Sequence, residues 1–487
     1  MGGGSLSLEG VSGAAVSTDS PGPTRVTTLG IATDTWEPPR AVVPGSVDHM
    51  TALMHRVAAT HEFRGLRATE HYFTVPLDHG RPGGESITIF AREISSLEHE
   101  APDALPWLLY LQGGPGGQGP RVSSLTGWMA EAAKTFRILL LDQRGTGLST
   151  PANRQSLPLR GDAAAQASYL THFRADSIVA DAEAIRTELG ITSWSTYGQS
   201  YGGFCTLTYL SLAPAALDRC LVTGGLGPLQ GRPEDVYRAT YARMAARNAE
   251  YFARYPEDRI VLNRIMRHVE QEHEHLPDGR RITGGLVQML GQFLGGNTRM
   301  DQLHFVLEGA FIPTPAGPRL SDAFAEVLFH QASRASNPLY ALMHESIYAQ
   351  GEATNWAAER IAVEFPAFDP GSVEPLLTGE MVYSWYFRED PALRPLEDVA
   401  RVLAEHEKWP TLYDVEQLAS NAVPVAAAVY TDDVYVDRDI SRATADKVRG
   451  LQVWETADFH HDGIADDGAA IFARLLGMTT PTDEGNA

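Results

Sequence analysis

Gly198-Gln199-Ser200-Tyr201-Gly202 constrains this chain more than any other stretch, because a serine flanked in this way fits a sharp strand-to-helix turn. The residues before it, 193–197, are β-branched, aromatic or small and predict a short strand. Those after it, 201–212, predict a helix that stops at Pro214. A side chain at such a turn needs an unusual backbone conformation, and small residues on either side let neighbouring chain approach closely. The hydroxyl then stands at the end of a strand beside the free N–H groups of a helix N-terminus, where developing negative charge is stabilised.

The segments around this turn predict its setting. Residues 71–76 and 86–91 alternate as antiparallel strands do, with a Gly/Pro turn at 80–84 between them. The runs 107–111 and 136–141 are almost continuously apolar, as expected of strands buried on both faces of a parallel sheet. A helix is expected between them at 128–134, and another at 177–189, where Ile178, Val179, Ala182, Ile185 and Leu189 keep a helical period up to Gly190. Residues 220–223 predict the next strand. The fold class is therefore α/β with a mostly parallel, doubly wound sheet. From 227 to 403 the pattern changes to long amphipathic helices, 237–255 and 260–275 among them, without comparable strand alternation. This region is expected to be a mainly helical insertion. The α/β rhythm resumes with strands at 423–430 and 451–454 and helices at 439–449 and 469–476. The expected organisation is a Gly/Ser/Thr/Pro-rich flexible tail at 1–30, a first core part at 31–226, the insertion at 227–403 and a second core part at 404–487.

A formal net charge of −22, with no basic stripe, argues against a nucleic-acid partner. No run of 18 apolar residues predicts a membrane span, and no basic-then-apolar leader is evident, so a cytoplasmic location is expected. Cys205 and Cys220 form neither a disulfide framework nor a metal-ligand spacing and are expected to be buried small hydrophobes; no metal or cofactor is expected. Oligomeric state is left open.

A hydroxyl becomes a useful nucleophile only when a base takes its proton and a carboxylate orients that base. On such a sheet the partners should follow later strands, in the chain order Ser, acid, His. The loop after 423–430 offers Asp432 and Asp433, and the loop after 451–454 offers His460 and His461. Both lie at carboxyl ends of strands, where open α/β sheets place their sites. Asp433 is preferred to Asp432. His461 is preferred to His460 because His461-Asp462-Gly463 opens the turn into the last helix. Gln112-Gly113-Gly114-Pro115-Gly116-Gly117 lacks the Lys-Ser/Thr ending of a phosphate loop. It is expected to bring backbone N–H groups, Gly114 foremost, to an oxyanion together with the N–H of Tyr201. In Asp142-Gln143-Arg144-Gly145, an Asp142–Arg144 ion pair is expected to brace that loop.

Gly113-Gly114-Pro115-Gly116, the run from Asp142 to Ser149 (Asp-Gln-Arg-Gly-Thr-Gly-Leu-Ser), and Gly198-Gln199-Ser200-Tyr201-Gly202-Gly203 stand in the order and spacing of one family. In these motifs the chain resembles the proline iminopeptidases (prolyl aminopeptidases) of the α/β-hydrolase fold, over about 65–477. The resemblance implies metal-free release of an N-terminal residue, preferably proline, from peptides with a free N-terminus, under a helical cap. Gln112 stands where the family usually has His, and Tyr430-Thr431-Asp432-Asp433 replaces its usual Gly-Arg-Tyr-Asp. The resemblance further implies cap glutamates that hold the substrate's ammonium; Glu345 and Glu380 are the candidates, with Gly113 at the substrate. Tyr348, Trp356 and Trp385 are candidates for an apolar pocket. An esterase or amidase acting on small acyl compounds would use the same triad and is the competing reading.

Overall fold

The computed structural model describes residues 54–480, so the expected tail at 1–30 lies outside the described residues. One nine-stranded sheet organises the chain. Its strands are β1 (Met54–Phe63), β2 (Leu66–Pro76), β3 (Ser86–Ser96), β4 (Trp107–Leu111), β5 (Arg137–Leu141), β6 (Trp194–Gln199) and β7 (Leu217–Thr223), followed after a long excursion by the last two. The excursion carries a separate hairpin, β8 (Phe311–Thr314) and β9 (Gly317–Leu320), before β10 (Val425–Tyr430) and β11 (Leu451–Thr456) close the sheet. The order across the sheet is β1-β2-β3-β5-β4-β6-β7-β10-β11. β1 to β3 pair antiparallel and β3 joins β5 antiparallel; from β5 to β11 every pairing is parallel.

The apolar runs explain the sandwich. Leu109, Leu111, Leu139 and Leu141 point to one face and Leu108, Tyr110, Ile138 and Leu140 to the other, and all are buried. Each such leucine contributes roughly 1.5–3 kcal/mol of burial. Helices Ala175–Glu188 and Tyr201–Leu212 cover the first face. Trp128 and Phe472, from helices Gly127–Ala132 and Gly463–Met478, pack on Tyr197 across the second, with ring centroids 5.2 and 5.3 Å away.

Two elements differ from expectation. β1 shows no inside-outside alternation, because it is an edge strand with one neighbour, no fully buried residue, and Met54 and Val57 exposed. It is set by a two-residue turn in which Arg64 and Gly65 both have positive φ (48° and 78°), the geometry that matches hairpin twist. The segment between β7 and β10 is mainly helical, from Pro233 to Ala404, but the β8–β9 hairpin interrupts it. Its four-residue strands hold Pro313 and Pro318, so neither period nor composition marks them as strands. Among the described residues, no helix is long and apolar enough to cross a membrane.

Candidate active site

β6 ends at Gln199 and a helix begins at Tyr201, leaving Ser200 alone in the turn at φ 54°, ψ −122°. That conformation costs on the order of 1–3 kcal/mol in a residue with a Cβ and persists only where the surroundings impose it. The surroundings are glycine. A Cβ on Gly202 would run into the Leu111 carbonyl at the end of β4, and one on Gly198 into the Gly202 backbone and Thr206.

Ser200 Oγ lies 2.9 Å from His461 Nε2, and His461 Nδ1 lies 2.9 and 3.0 Å from the two oxygens of Asp433. Asp433 Oδ1 also accepts the backbone N–H groups of Tyr435 (2.9 Å) and Val436 (3.0 Å). All three side chains are buried. With Asp433 accepting from Nδ1, the neutral form of the ring turns the lone pair of Nε2 to the serine hydroxyl, which then donates to it. Burial disfavours the imidazolium, but the charge and hydrogen bond of Asp433, with the charges of Glu380 and Asp462, outweigh it and push His461 up to about 9. The neighbours in each pair stand elsewhere. Asp432 is exposed, 3.9 Å from Arg243, and its carbonyl takes the Nδ1 bond of His460 (3.1 Å). Burial lowers the pKa of His460.

The glycine loop faces the serine. A Cβ on Gly113 would come within 3.1 Å of Ser200 Cβ and would run into the Gln199 side chain, so any larger residue crowds the serine. Gly114 sits at φ 142° before a cis peptide to Pro115. Tyr201 is the first residue of its helix, so its N–H has no intrahelical carbonyl. Gln112 contributes its carbonyl, which accepts from Gln143 Nε2 at 2.9 Å.

The expected Asp142–Arg144 pair does not form. Asp142 instead takes Arg121 through both oxygens (2.8 and 2.6 Å) and the Gly119 and Leu148 N–H groups (2.9 Å each). Arg144 pairs with Asp181 at 2.5 Å and donates to the Leu77 and His172 carbonyls. Residues two apart on a tight turn point in different directions, so each found a partner elsewhere. Gln143, passed over in the sequence, holds the glycine loop directly.

The two glutamates separate. Glu380 is half-buried with Tyr340, Tyr348, Tyr435 and the triad within range of its charge. Burial raises its pKa; His461 favours its ionised form, while Asp462 and Asp433 oppose it. Its carbonyl accepts from His344 Nε2 (2.8 Å), and burial drives His344 down to about 4, so that ring is neutral. Glu345 is bound differently: its two oxygens accept the N–H groups of Ala357 (3.0 Å) and Ala358 (2.9 Å). Asn355 and Trp356, at φ 47° and 57°, turn the chain so that these N–H groups face it. Burial lifts Glu345 to about 7 against the pull of those bonds. Of the three aromatics, Tyr348 reaches Phe204 of the serine helix (5.9 Å between centroids), whereas Trp356 packs on Phe387 and Trp385 on Tyr383 and Tyr386.

Elsewhere in the insertion, Glu257, Asp258 and His304 bring ligand-type atoms within 4.8 Å of one another, a grouping the sequence spacing hid. Both Asp258 oxygens already meet His304, and one also accepts from Tyr251. A cavity of about 570 Å³ near Trp356, Phe387 and Arg388 has no triad residue in its lining.

Residues 106–287 match the family described as alpha/beta hydrolase fold. The chain is 45% identical over 415 residues to a proline iminopeptidase of Aeromonas sobria, covering 85% of this chain and 96% of that one. It is 34% identical over 421 residues to a proline iminopeptidase of Aspergillus aculeatus, covering 85% and 93% respectively.

Proposed function

The chain belongs to the proline iminopeptidases, α/β-hydrolase-fold enzymes, and from that premise we propose how its residues release an N-terminal proline from a peptide. Ser200 Oγ attacks the carbonyl carbon of the first residue while His461 Nε2 takes the hydroxyl proton. The carbonyl oxygen becomes an oxyanion held by backbone N–H groups of Tyr201 and the glycine loop, Gly114 foremost, with Gly113 leaving room beside the serine. His461 passes its proton to the departing amine, which leaves as the shortened peptide. A water, deprotonated by the same imidazole, then releases proline from the acyl-serine and restores Ser200. Asp433 keeps Nδ1 protonated and stabilises the imidazolium in both halves.

The observation that carries the peptidase reading over an esterase is a carboxylate beside the triad. Glu380 supplies the opposite charge and acceptors that a buried ammonium requires. Glu345, whose oxygens already hold two backbone N–H groups, positions the chain rather than the substrate. The segment 227–403 serves as the cap that admits a chain end and not an internal peptide bond. Substrates are therefore peptides with a free N-terminus, and neither nucleic acid nor membrane is a partner. The two free, buried thiols, Cys205 and Cys220, fit a reducing compartment such as the cytoplasm.

The test compares a prolyl anilide, its N-acetyl derivative and a small neutral ester. Acetylation removes the charge that Glu380 meets, and Glu380→Gln should lower kcat/KM for the prolyl anilide by roughly 10²-fold, about 3 kcal/mol, while the ester loses far less. Equal losses on anilide and ester would remove Glu380 from ammonium binding.

A further inference from the structure

The wall behind the proposed catalytic histidine is built partly from the insertion. A turn at Gly295 and Gly296, leading into the helix Asn297–Glu308, lies against the loop that carries His461. Three hydrogen bonds cross this contact. The Asp462 N–H donates to the Gly295 carbonyl (3.2 Å), Asn297 Nδ2 to the Asp458 carbonyl (3.1 Å) and Thr298 Oγ1 to Asp466 Oδ1 (3.2 Å). The Arg299 guanidinium completes the set as the ion-pair partner of Asp462, the residue next to His461. The turn is itself held: buried Arg247 donates to the Leu294 and Gly296 carbonyls (3.1 and 3.3 Å). The Tyr435 hydroxyl donates to the Gln292 carbonyl (3.2 Å) while its ring packs 4.9 Å from the imidazole.

The charges make this contact more than packing. His461 faces Asp433 from the loop after β10, Glu380 from the insertion and Asp462 from its own loop, with the neutral Ser200 and Tyr435 completing its surroundings. Asp462 also bears on Asp466, while Arg247 bears on His460. Three carboxylates thus surround one imidazole, and the cation paired with the third comes from the insertion.

We propose that Arg299 is a positioning residue for catalysis: by clamping Asp462 it fixes the His461 loop and offsets the one carboxylate there that holds neither imidazole nor substrate. This rests on the reading of His461 as the general base. The insertion, on this account, both selects the substrate and sets the strength of the base.

The experiment is the pH dependence of kcat and KM on a prolyl anilide with the full-length enzyme. Arg299→Gln should lower kcat about tenfold with KM nearly unchanged, since Arg299 touches no substrate. It should also move the acidic limb of kcat/KM to higher pH by about half a unit, because the Asp462 charge is then uncompensated and the pair is partly exposed. Arg299→Lys, which keeps the charge, should return the limb to its parental position, and Asp462→Asn should move it below. If Arg299→Gln proves unstable, these last two variants decide the matter without it. Parental kcat and limb in Arg299→Gln, or a loss of kcat with no shift of the limb in either Arg299→Gln or Asp462→Asn, would overturn the proposal. Retained activity in His461→Ala would instead overturn the general-base reading on which it stands.

Discussion

Asp433→Asn tests the proposed triad at the point where the geometry decides the outcome. In the parent, Oδ1 accepts from the N–H groups of Tyr435 and Val436 and lies 3.0 Å from His461 Nδ1, while Oδ2 lies 2.9 Å from the same nitrogen. An asparagine placed there has to choose which end faces the backbone. Turning its NH2 toward the two backbone donors would forfeit two hydrogen bonds at about 1 kcal/mol each, a preference of roughly 30-fold for the other orientation. The amide oxygen therefore takes the Oδ1 position, and the NH2 donates to His461 Nδ1. With an NH2 group facing Nδ1, the tautomer with the proton on Nε2 is favoured, so the imidazole offers a donor, not an acceptor, to Ser200. The same exchange in a serine-protease triad lowers kcat by about 10⁴, equivalent to about 5.4 kcal/mol. The melting temperature should barely change, because both backbone bonds survive. Steady-state hydrolysis of a prolyl anilide, with circular dichroism as the folding control, measures both. Asp432→Asn, at an exposed side chain 3.9 Å from Arg243, should stay within about twofold of the parent. A folded Asp433→Asn within tenfold of parental turnover, or a larger loss at Asp432, would refute the reasoning.

Ser200→Ala should lower kcat by roughly 10⁴-fold or more without loss of fold, and the acyl-enzyme seen by mass spectrometry with a slow ester should disappear. Because His461 is pushed up to about 9, kcat/KM on a neutral ester should rise with pH through a limb above the ordinary 6.5, the base being inactive while protonated. The same raised value means that the native state binds an extra proton between about 6.5 and 9, so the stability from this group is complete below that window and lost as pH rises through it; urea titrations across the window measure it. Glu345→Gln should turn an NH2 toward the Ala357 or Ala358 N–H and cost about 1–3 kcal/mol of stability in the same titrations, with the anilide-to-ester ratio unchanged.

The sequence revealed the parts of the fold whose burial is complete. β4 and, after Arg137, β5 are apolar throughout because helices cover both faces, and that condition leaves nothing else for the run to be. The helix Tyr201–Leu212 was legible at both ends because one is fixed by the turn glycines and the other by Pro214. β1 was not, since an edge strand with Met54 and Val57 exposed carries no inside-outside code. The β8–β9 hairpin was hidden by its length and its prolines. Asp142 and Arg144 failed for another reason. Their types correctly announced buried ion pairs, but partners such as Arg121 and Asp181 are chosen by the tertiary fold, on which sequence proximity has no bearing.

Glu345 and Glu380 mark the same boundary inside the site. Both stand among aromatic and apolar residues, so local composition makes them equivalent, and burial raises the pKa of both. What separates them is how much of each carboxylate remains unspent. Glu345 closes the strained turn at Asn355 and Trp356 with both oxygens, and an ammonium there would share each oxygen with a backbone donor that has no other acceptor. Glu380 is held through its backbone carbonyl by a neutral His344, which leaves the carboxylate, met only by the Tyr340 hydroxyl, available beside His461. A substrate cation placed there meets a charge already favoured by the imidazolium that forms during attack, and it relieves the crowding of like charges with Asp433 and Asp462. Recognition of the chain end and stabilisation of the catalytic base are then parts of one electrostatic arrangement, so a loss at Glu380 should appear in kcat as well as in KM.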